Sequence, residues 1–209
     1  MQALHVQSGR RVRLGSAQKL FGQERRTIDE AFPGDVIGLV GNDLFGIGDT
    51  LTDDRTIRYG EIPRFAPECF AYLHNPSSAN SKKFWLGLEQ LLREGVVQRL
   101  QRPGGSSAIP LLAAVGPLQF EVVQFRLQSE YSAESRLENA SWVAGRWLEG
   151  PALEPDLPDG SIRANDADGN AMVLFPDQWA MQHFERKNPG VALLTEPPAR
   201  GPAEVPARA

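Results

Sequence analysis

The chain has 209 residues, 41% hydrophobic and 23% charged, with a formal net charge of −4, a composition that suits one large or two small globular domains. It contains no run of 18 apolar residues and no apolar stretch behind a basic start, so the sequence predicts neither a membrane span nor a signal peptide. A single cysteine, Cys69, excludes an intrachain disulfide and fits a reducing cytoplasm. The net charge argues against a polyanion-binding protein as a whole, yet it is unevenly spread. Residues 1–26 carry Arg10, Arg11, Arg13, Lys19, Arg25 and Arg26 against one acid, Glu24.

Residues 1–56 have the pattern of an all-β segment. Short strands are predicted at 4–6, 11–14 and 36–40, punctuated by the turn signals Ser8-Gly9, Pro33-Gly34-Asp35 and Gly46-Ile47-Gly48-Asp49. Arg10, Arg11 and Arg13 lie around the first turn; Lys19, Arg25 and Arg26 follow in a segment that reads as loop. So short a stretch with so few apolar positions makes a poor independent core.

A second pattern begins at Glu61. A strand is predicted within 63–72, then a helix over 81–94 with Phe84, Trp85, Leu88, Leu91 and Leu92 on one face and Gly95 as its C-terminal cap. A strand at 96–101, a turn at 102–107 and a buried strand at 109–115 follow. From Leu118 the signal is divided: Leu118, Phe120 and Val122 alternate as in a strand, and the same positions fall into two helical stripes at about 100° per residue. Leu118, Val122 and Phe125 form one stripe; Phe120, Val123, Leu127 and Tyr131 form the other, nearly opposite. Periodicity leaves the choice open, while Pro117 and a length that is long for a strand favour helix. With a further strand after it, the order is β-α-β-β-α-β, a ferredoxin-like split βαβ arrangement whose sheet buries one face against two helices. Two opposed apolar stripes predict that the second helix is covered on both sides.

Residues 149–160 read as a proline-rich linker, 161–175 as a hairpin around Asp168-Gly169, and 178–186 as a short helix capped by Asp177. Residues 191–194 form a last strand, and 196–209 read as a disordered tail. The expected domains are thus 1–59, 60–148 and 149–195, with the tail beyond.

No G-x-x-x-x-G-K-[ST] loop occurs, so the backbone cradle and lysine that hold a nucleotide's phosphates are absent. The acidic run 165–170 has the look of a calcium loop, but that register puts Ala164 and Phe175 at ligand positions, and a plain turn fits better. His5, His74 and His183 lack metal-site spacing and read as surface or boundary residues. Cys69, among apolar neighbours, reads as an inert thiol, and the four tryptophans as packing residues. No metal site and no catalytic residue is predicted. The one functional signal is the basic start, either a solvated face or a contact to phosphate backbone.

Three segments carry a family resemblance. VGPLQFEVVQFRLQSEY at 115–131, the phrases GDVIGL and IGDTL within 25–51, and RFAPE within 62–73 are similar to segments of the peptide chain release factor 3 family of translational GTPases. The match extends over about residues 12–147 and includes, as structural positions, Gly34, Asp35, Gly48, Asp49, Arg64, Phe65, Pro67, Glu68, Gly116, Leu118, Gln119, Phe120 and Glu121. The resemblance settles 118–131 as helix. It implies an α+β fold, with 1–59 the later strands of a translation-factor β-barrel and the ferredoxin-like unit and its C-terminal α/β segment behind it. On that reading Met1 falls inside a domain and the GTPase domain is missing, as in a truncated gene product, a gene fragment or a chain cut for expression. The intact family uses GTP and Mg²⁺ to dissociate codon-reading release factors from the ribosome during translation termination. This chain, with no cofactor of its own, is then expected to be a non-enzymatic, cytoplasmic ribosome-binding module. Its implied partners are small-subunit rRNA and ribosomal proteins, with release factors indirect and neither DNA nor membrane involved. The resemblance raises the phosphate-contact reading of Arg10, Arg11, Arg13, Lys19, Arg25 and Arg26. The alternative is a non-catalytic protein-interaction fragment or gene remnant.

Overall fold

The computed structural model describes residues 2–15, 17–21, 24–39, 45–60, 62–105, 108–150 and 155–198. It divides the chain into two units, Met1–Ile62 and Pro63–Ala209. Among the described residues the first holds six short strands: β1 (Gln2–His5), β2 (Arg10–Arg13), β3 (Ala17–Phe21), β4 (Glu24–Thr27), β5 (Ile37–Leu39) and β6 (Leu51–Thr52). They form two antiparallel three-stranded sheets, in the orders β2-β1-β6 and β4-β3-β5. Three of the strands lie where the sequence placed them, although Val40 is outside the described residues. The segment from Lys19 to Arg26, expected as loop, instead supplies β3 and β4. These two strands carry almost no apolar alternation, and a ladder of backbone hydrogen bonds specifies them instead.

The second unit is layered. Its first sheet contains β7 (Cys69–His74), β8 (Gln98–Leu100), β9 (Leu111–Ala114) and β10 (Arg136–Asn139), in the spatial order β10-β7-β9-β8 with every neighbour antiparallel. Helix α1 (Ser81–Arg93) lies between β7 and β8 in the chain, and α2 (Leu118–Tyr131) between β9 and β10. The second sheet, β12-β13-β11-β14, is built from β11 (Ala144–Glu149), β12 (Ile162–Asn165), β13 (Ala171–Phe175) and β14 (Ala192–Leu194). The remaining helix, α3 (Gln178–Lys187), starts at Asp177, whose side chain accepts from Ala180 N at 2.7 Å, as its capping role predicted.

Alternation along the strands assigns each layer. Ala71, Leu73, Leu112 and Ala114 face Phe84, Leu88 and Leu91 of α1 and Phe120, Val123 and Leu127 of α2. The intervening residues Phe70, Leu111 and Ala113 face the other way, against Trp147, Ala164, Met172 and Leu174 of the second sheet. Val173 and Phe175 then point out of that sheet onto Phe184 of α3. The order is helix pair, sheet, sheet, helix. All four residues of β9 are buried, which is why its sequence reads as a continuous apolar run.

One expectation fails here. Only the Phe120, Val123, Leu127 stripe of α2 is covered, while Leu118 is 69%, Val122 44% and Phe125 71% exposed. The later segment covers the sheet's second face, not the second stripe of α2. A strand's period of two had already created that second apolar face, and it claims the cover. The tail from 199 onward and part of the linker (151–154) lie outside the described residues.

Candidate phosphate-contacting site

In the basic start, β1 and β2 pair with His5 opposite Arg10 and Ala3 opposite Val12. Val12 pairs with Ala3 and both are buried, so alternation sends Arg11 and Arg13 to the opposite face of the pair, where both are exposed. Arg10, at the strand's start, is also exposed. Arg11 reaches Asp53 only at 4.0 Å with both side chains largely in water, a pair of little energetic weight. The six predicted residues lie on strands of two different sheets. Lys19 belongs to β3 in the other sheet, and its ammonium binds Asp35 Oδ1 at 2.7 Å. Arg25 and Arg26 lie on β4 by backbone, and their side chains fall outside the described residues. The described part of the candidate is therefore the arginine ridge of β2.

The motif residues are mostly engaged in holding the fold. Gly34 and Gly48 have φ of +95° and +87°, conformations that favour glycine and explain the two turns. Asp35 accepts from Lys19 and from Phe32 N at 3.0 Å, and these bonds hold its carboxyl below the usual carboxylate range. Asp49 closes the next turn by accepting from Gly46 N at 2.6 Å. Arg64 pairs with Asp168 at 2.7 Å, and the Phe65 carbonyl accepts from Gln98 Nε2 at 3.2 Å while its ring is exposed. Buried Pro67 accepts from Gly145 N at 2.8 Å, and Glu68 N donates to Ala114 O at 2.9 Å. Gln119 explains the start of α2. Its Oε1 accepts from Val115 N at 2.9 Å and Gly116 N at 3.1 Å, and its Nε2 donates to Val96 O at 2.7 Å. Phe120 is buried, Leu118 exposed, and Glu121 sits in the first helical turn, where an acid complements the helix dipole.

Two arrangements escaped the sequence reading. His5 is buried, with Nδ1 2.8 Å from Ser8 Oγ and Nε2 2.9 Å from Asp49 Oδ2. Ser, His and Asp are thus in line, but the serine is also 3.4 Å from Arg10 N. The trio ties the β1–β2 turn to the loop before β6. The second is Asp166, buried in the turn between β12 and β13, where it organises the predicted hairpin. His74 lies 2.9 Å from Glu138, and His183 stacks on Trp179 at 5.0 Å. Burial, and then Glu68, push the half-buried Cys69 thiol up, away from the reactive thiolate. Among the described residues no group of His, Cys, Asp and Glu is placed to hold a metal, and no helix is long and apolar enough to cross a membrane.

Residues 59–185 match the family model described as the C-terminal domain of class II release factor RF3, and residues 1–54 match domain 2 of elongation factor G. The chain belongs to the release factor 3 family. It is 42% identical over 193 residues to a peptide chain release factor 3 of Gloeobacter violaceus, covering 90% of this chain and 36% of that protein. The Microcystis aeruginosa relative of the same name is 44% identical over 195 residues, with 90% and 35% covered. The chain thus spans little more than a third of the release factor 3 proteins it matches. A crystal structure of the protein ttk003000868 from Thermus thermophilus superposes with a TM-score of 0.54 at 19% identity, over 79% of this chain and 26% of that one, a likeness of fold alone.

Proposed function

We propose that this chain is the ribosome-docking part of a release factor 3-type translation-termination factor, acting by contact and not by catalysis. The observation that carries the reading is the succession of an elongation-factor second domain and a release factor 3 C-terminal domain along one chain. We read 1–59 as strands of a translation-factor barrel, 60–148 as a ferredoxin-like unit and 149–195 as its C-terminal extension. In support, the β-α-β-β-α-β succession has the strand order β10-β7-β9-β8. On this reading Arg10, Arg11 and Arg13 face the phosphates of small-subunit rRNA, and the cytoplasm is the compartment. In the whole factor, GTP turnover and the displacement of codon-reading release factors belong to a nucleotide domain of which these 209 residues hold no phosphate-loop motif.

Cosedimentation with purified ribosomes tests this. The parent chain pellets with ribosomes at low salt, and Arg10→Ala/Arg11→Ala/Arg13→Ala lowers the pelleted fraction and flattens the log–log salt dependence by up to about 3 units. A parent chain that stays in the supernatant at every salt overturns the docking reading. An unchanged triple variant overturns the arginine assignment.

A further inference from the structure

The open edges of the two sheets of the second unit, β8 and β12, touch at one place. Gln101 N donates to Asn165 O at 2.8 Å and Asn165 N to Gln101 O at 2.7 Å. Beside this bridge lie two hollows. One, of about 200 Å³, is lined by Tyr72, Arg99, Arg102 and Gly105 among others. The other, of about 410 Å³, is lined by Arg102, Gly105, Leu157, Ile162 and Arg163 among others. Arg102 and Gly105 line both, so the hollows adjoin, and together they are termed the groove.

The groove is electropositive. Arg99, Arg102 and Arg163 have no carboxylate partner among the described residues, whereas nearby Asp168 is held by Arg64 at 2.7 Å and Asp156 by Lys187 at 3.0 Å. Arg102 lies over the Tyr72 ring, its Cζ 5.4 Å from the centroid, and Arg99 over Trp85 at 5.6 Å. Stacking fixes a guanidinium plane while leaving its in-plane N–H groups to bind an anion bidentately. Arg99 pairs in register with Leu112 on the helix side of the sheet, so its charge flanks the groove and the Arg102–Tyr72 stack forms its centre.

We propose that this groove binds an RNA strand, with Arg102 and Arg163 on neighbouring phosphates and the Arg102–Tyr72 stack as a plane for a base. A polynucleotide answers both features, since bases stack on guanidinium and aromatic planes while phosphates take the in-plane donors. An acidic peptide answers only the charge. The inference rests on the ribosome-docking reading for where the strand comes from; the groove's chemistry stands by itself.

The test is fluorescence anisotropy of the full chain with a labelled single-stranded RNA of about a dozen nucleotides. The parent binds with steep salt dependence, and Arg102→Ala/Arg163→Ala weakens binding by about tenfold and flattens the log–log slope by about 1.4 units, as two lost phosphate contacts require. Arg102→Lys restores most of the slope but not the affinity, because charge returns without the planar fork. Circular dichroism establishes that each variant is folded, and Arg163→Ala alone gives a milder substitution if the double one is not. Absence of RNA binding by the parent, or equal binding by the folded variants, overturns the proposal. So does displacement of the RNA by polyglutamate of equal charge, which reassigns the groove to an acidic peptide. Arginine-dependent RNA binding without ribosome cosedimentation strikes only the docking reading. Cosedimentation with RNA binding indifferent to these arginines strikes only the groove.

Discussion

Trp147 donates its indole N–H to Asp166 Oδ2 at 3.0 Å, and both residues are buried. The same oxygen accepts from Asn170 Nδ2, and Oδ1 accepts from Asp168 N and Asn170 N, each at 2.9 Å. Asp166→Ala leaves the indole donor without a partner inside the second core, a loss of about 1–3 kcal/mol. Asp166→Asn does not rescue it, because one amide N–H₂ then faces donors. Urea unfolding of both variants checks this, and a parent-like midpoint for Asn would show that the carboxylate is dispensable.

The two faces of α2 predict opposite outcomes. Phe120 is packed against the first sheet and Phe125 is not. Phe120→Ala therefore costs about 3–5 kcal/mol, while Phe125→Ser stays within about 0.5 kcal/mol of the parent. Thermal melts of the pair measure the difference directly.

At Gly87, α1 packs tightly against the side chains of α2. A Cβ there meets Tyr131 Cδ2 at 2.7 Å and Leu127 Cδ2 at 2.8 Å. Alanine is the better helix former by about 1 kcal/mol, but overpacking a fixed ring and a buried leucine costs about 1–3 kcal/mol. Gly87→Ala is thus expected to lower the denaturation midpoint in spite of its propensity. A raised midpoint would mean that the helices separate freely.

One source of acid sensitivity is Arg126, which hydrogen-bonds Glu94 and, at 2.6 Å through Nε, Glu130. Arg126 holds both carboxyls below their ordinary values, and its own pKa is raised by the pair. Depressed folded values stabilise the protein above the unfolded carboxylate pKa of about 4.3, and that stability is lost as pH falls through the lowered values. The parent should lose more stability between about pH 5 and pH 3 than Arg126→Met. Urea midpoints at the two pH values give the comparison, with identical losses as the contrary result.

Helix α1 was legible from its local apolar face, whereas α2 was ambiguous by periodicity and was assigned from Pro117, its length and the family resemblance. Residues 81–94 were expected and Ser81–Arg93 found, and Leu118–Tyr131 was placed within its bounds. Strands β3 and β4 were not legible, since Ala-Gln-Lys-Leu-Phe and Glu-Arg-Arg-Thr contain no alternation from which to infer a buried face. The basic start was visible as composition, but its division between two sheets depends on pairing partners up to β6. Arg102 and Arg163 carried no joint signal, because 60 positions separate them and it is the packing of the two sheets, together with the Gln101–Asn165 bridge, that brings them together. Trp147 and Asp166 likewise meet only once β11, β13 and β12 have paired.

The layered order of the second unit also has a history in time. A nascent chain reaches Asn139 with every strand of the first sheet and both of its helices complete. Phe70, Leu111 and Ala113 then line a sheet face whose cover, Met172 and Leu174, has not been synthesised. At ordinary translation rates of about 5–20 residues per second that face stays bare for a few seconds, a sticky interval before the chain can cover it.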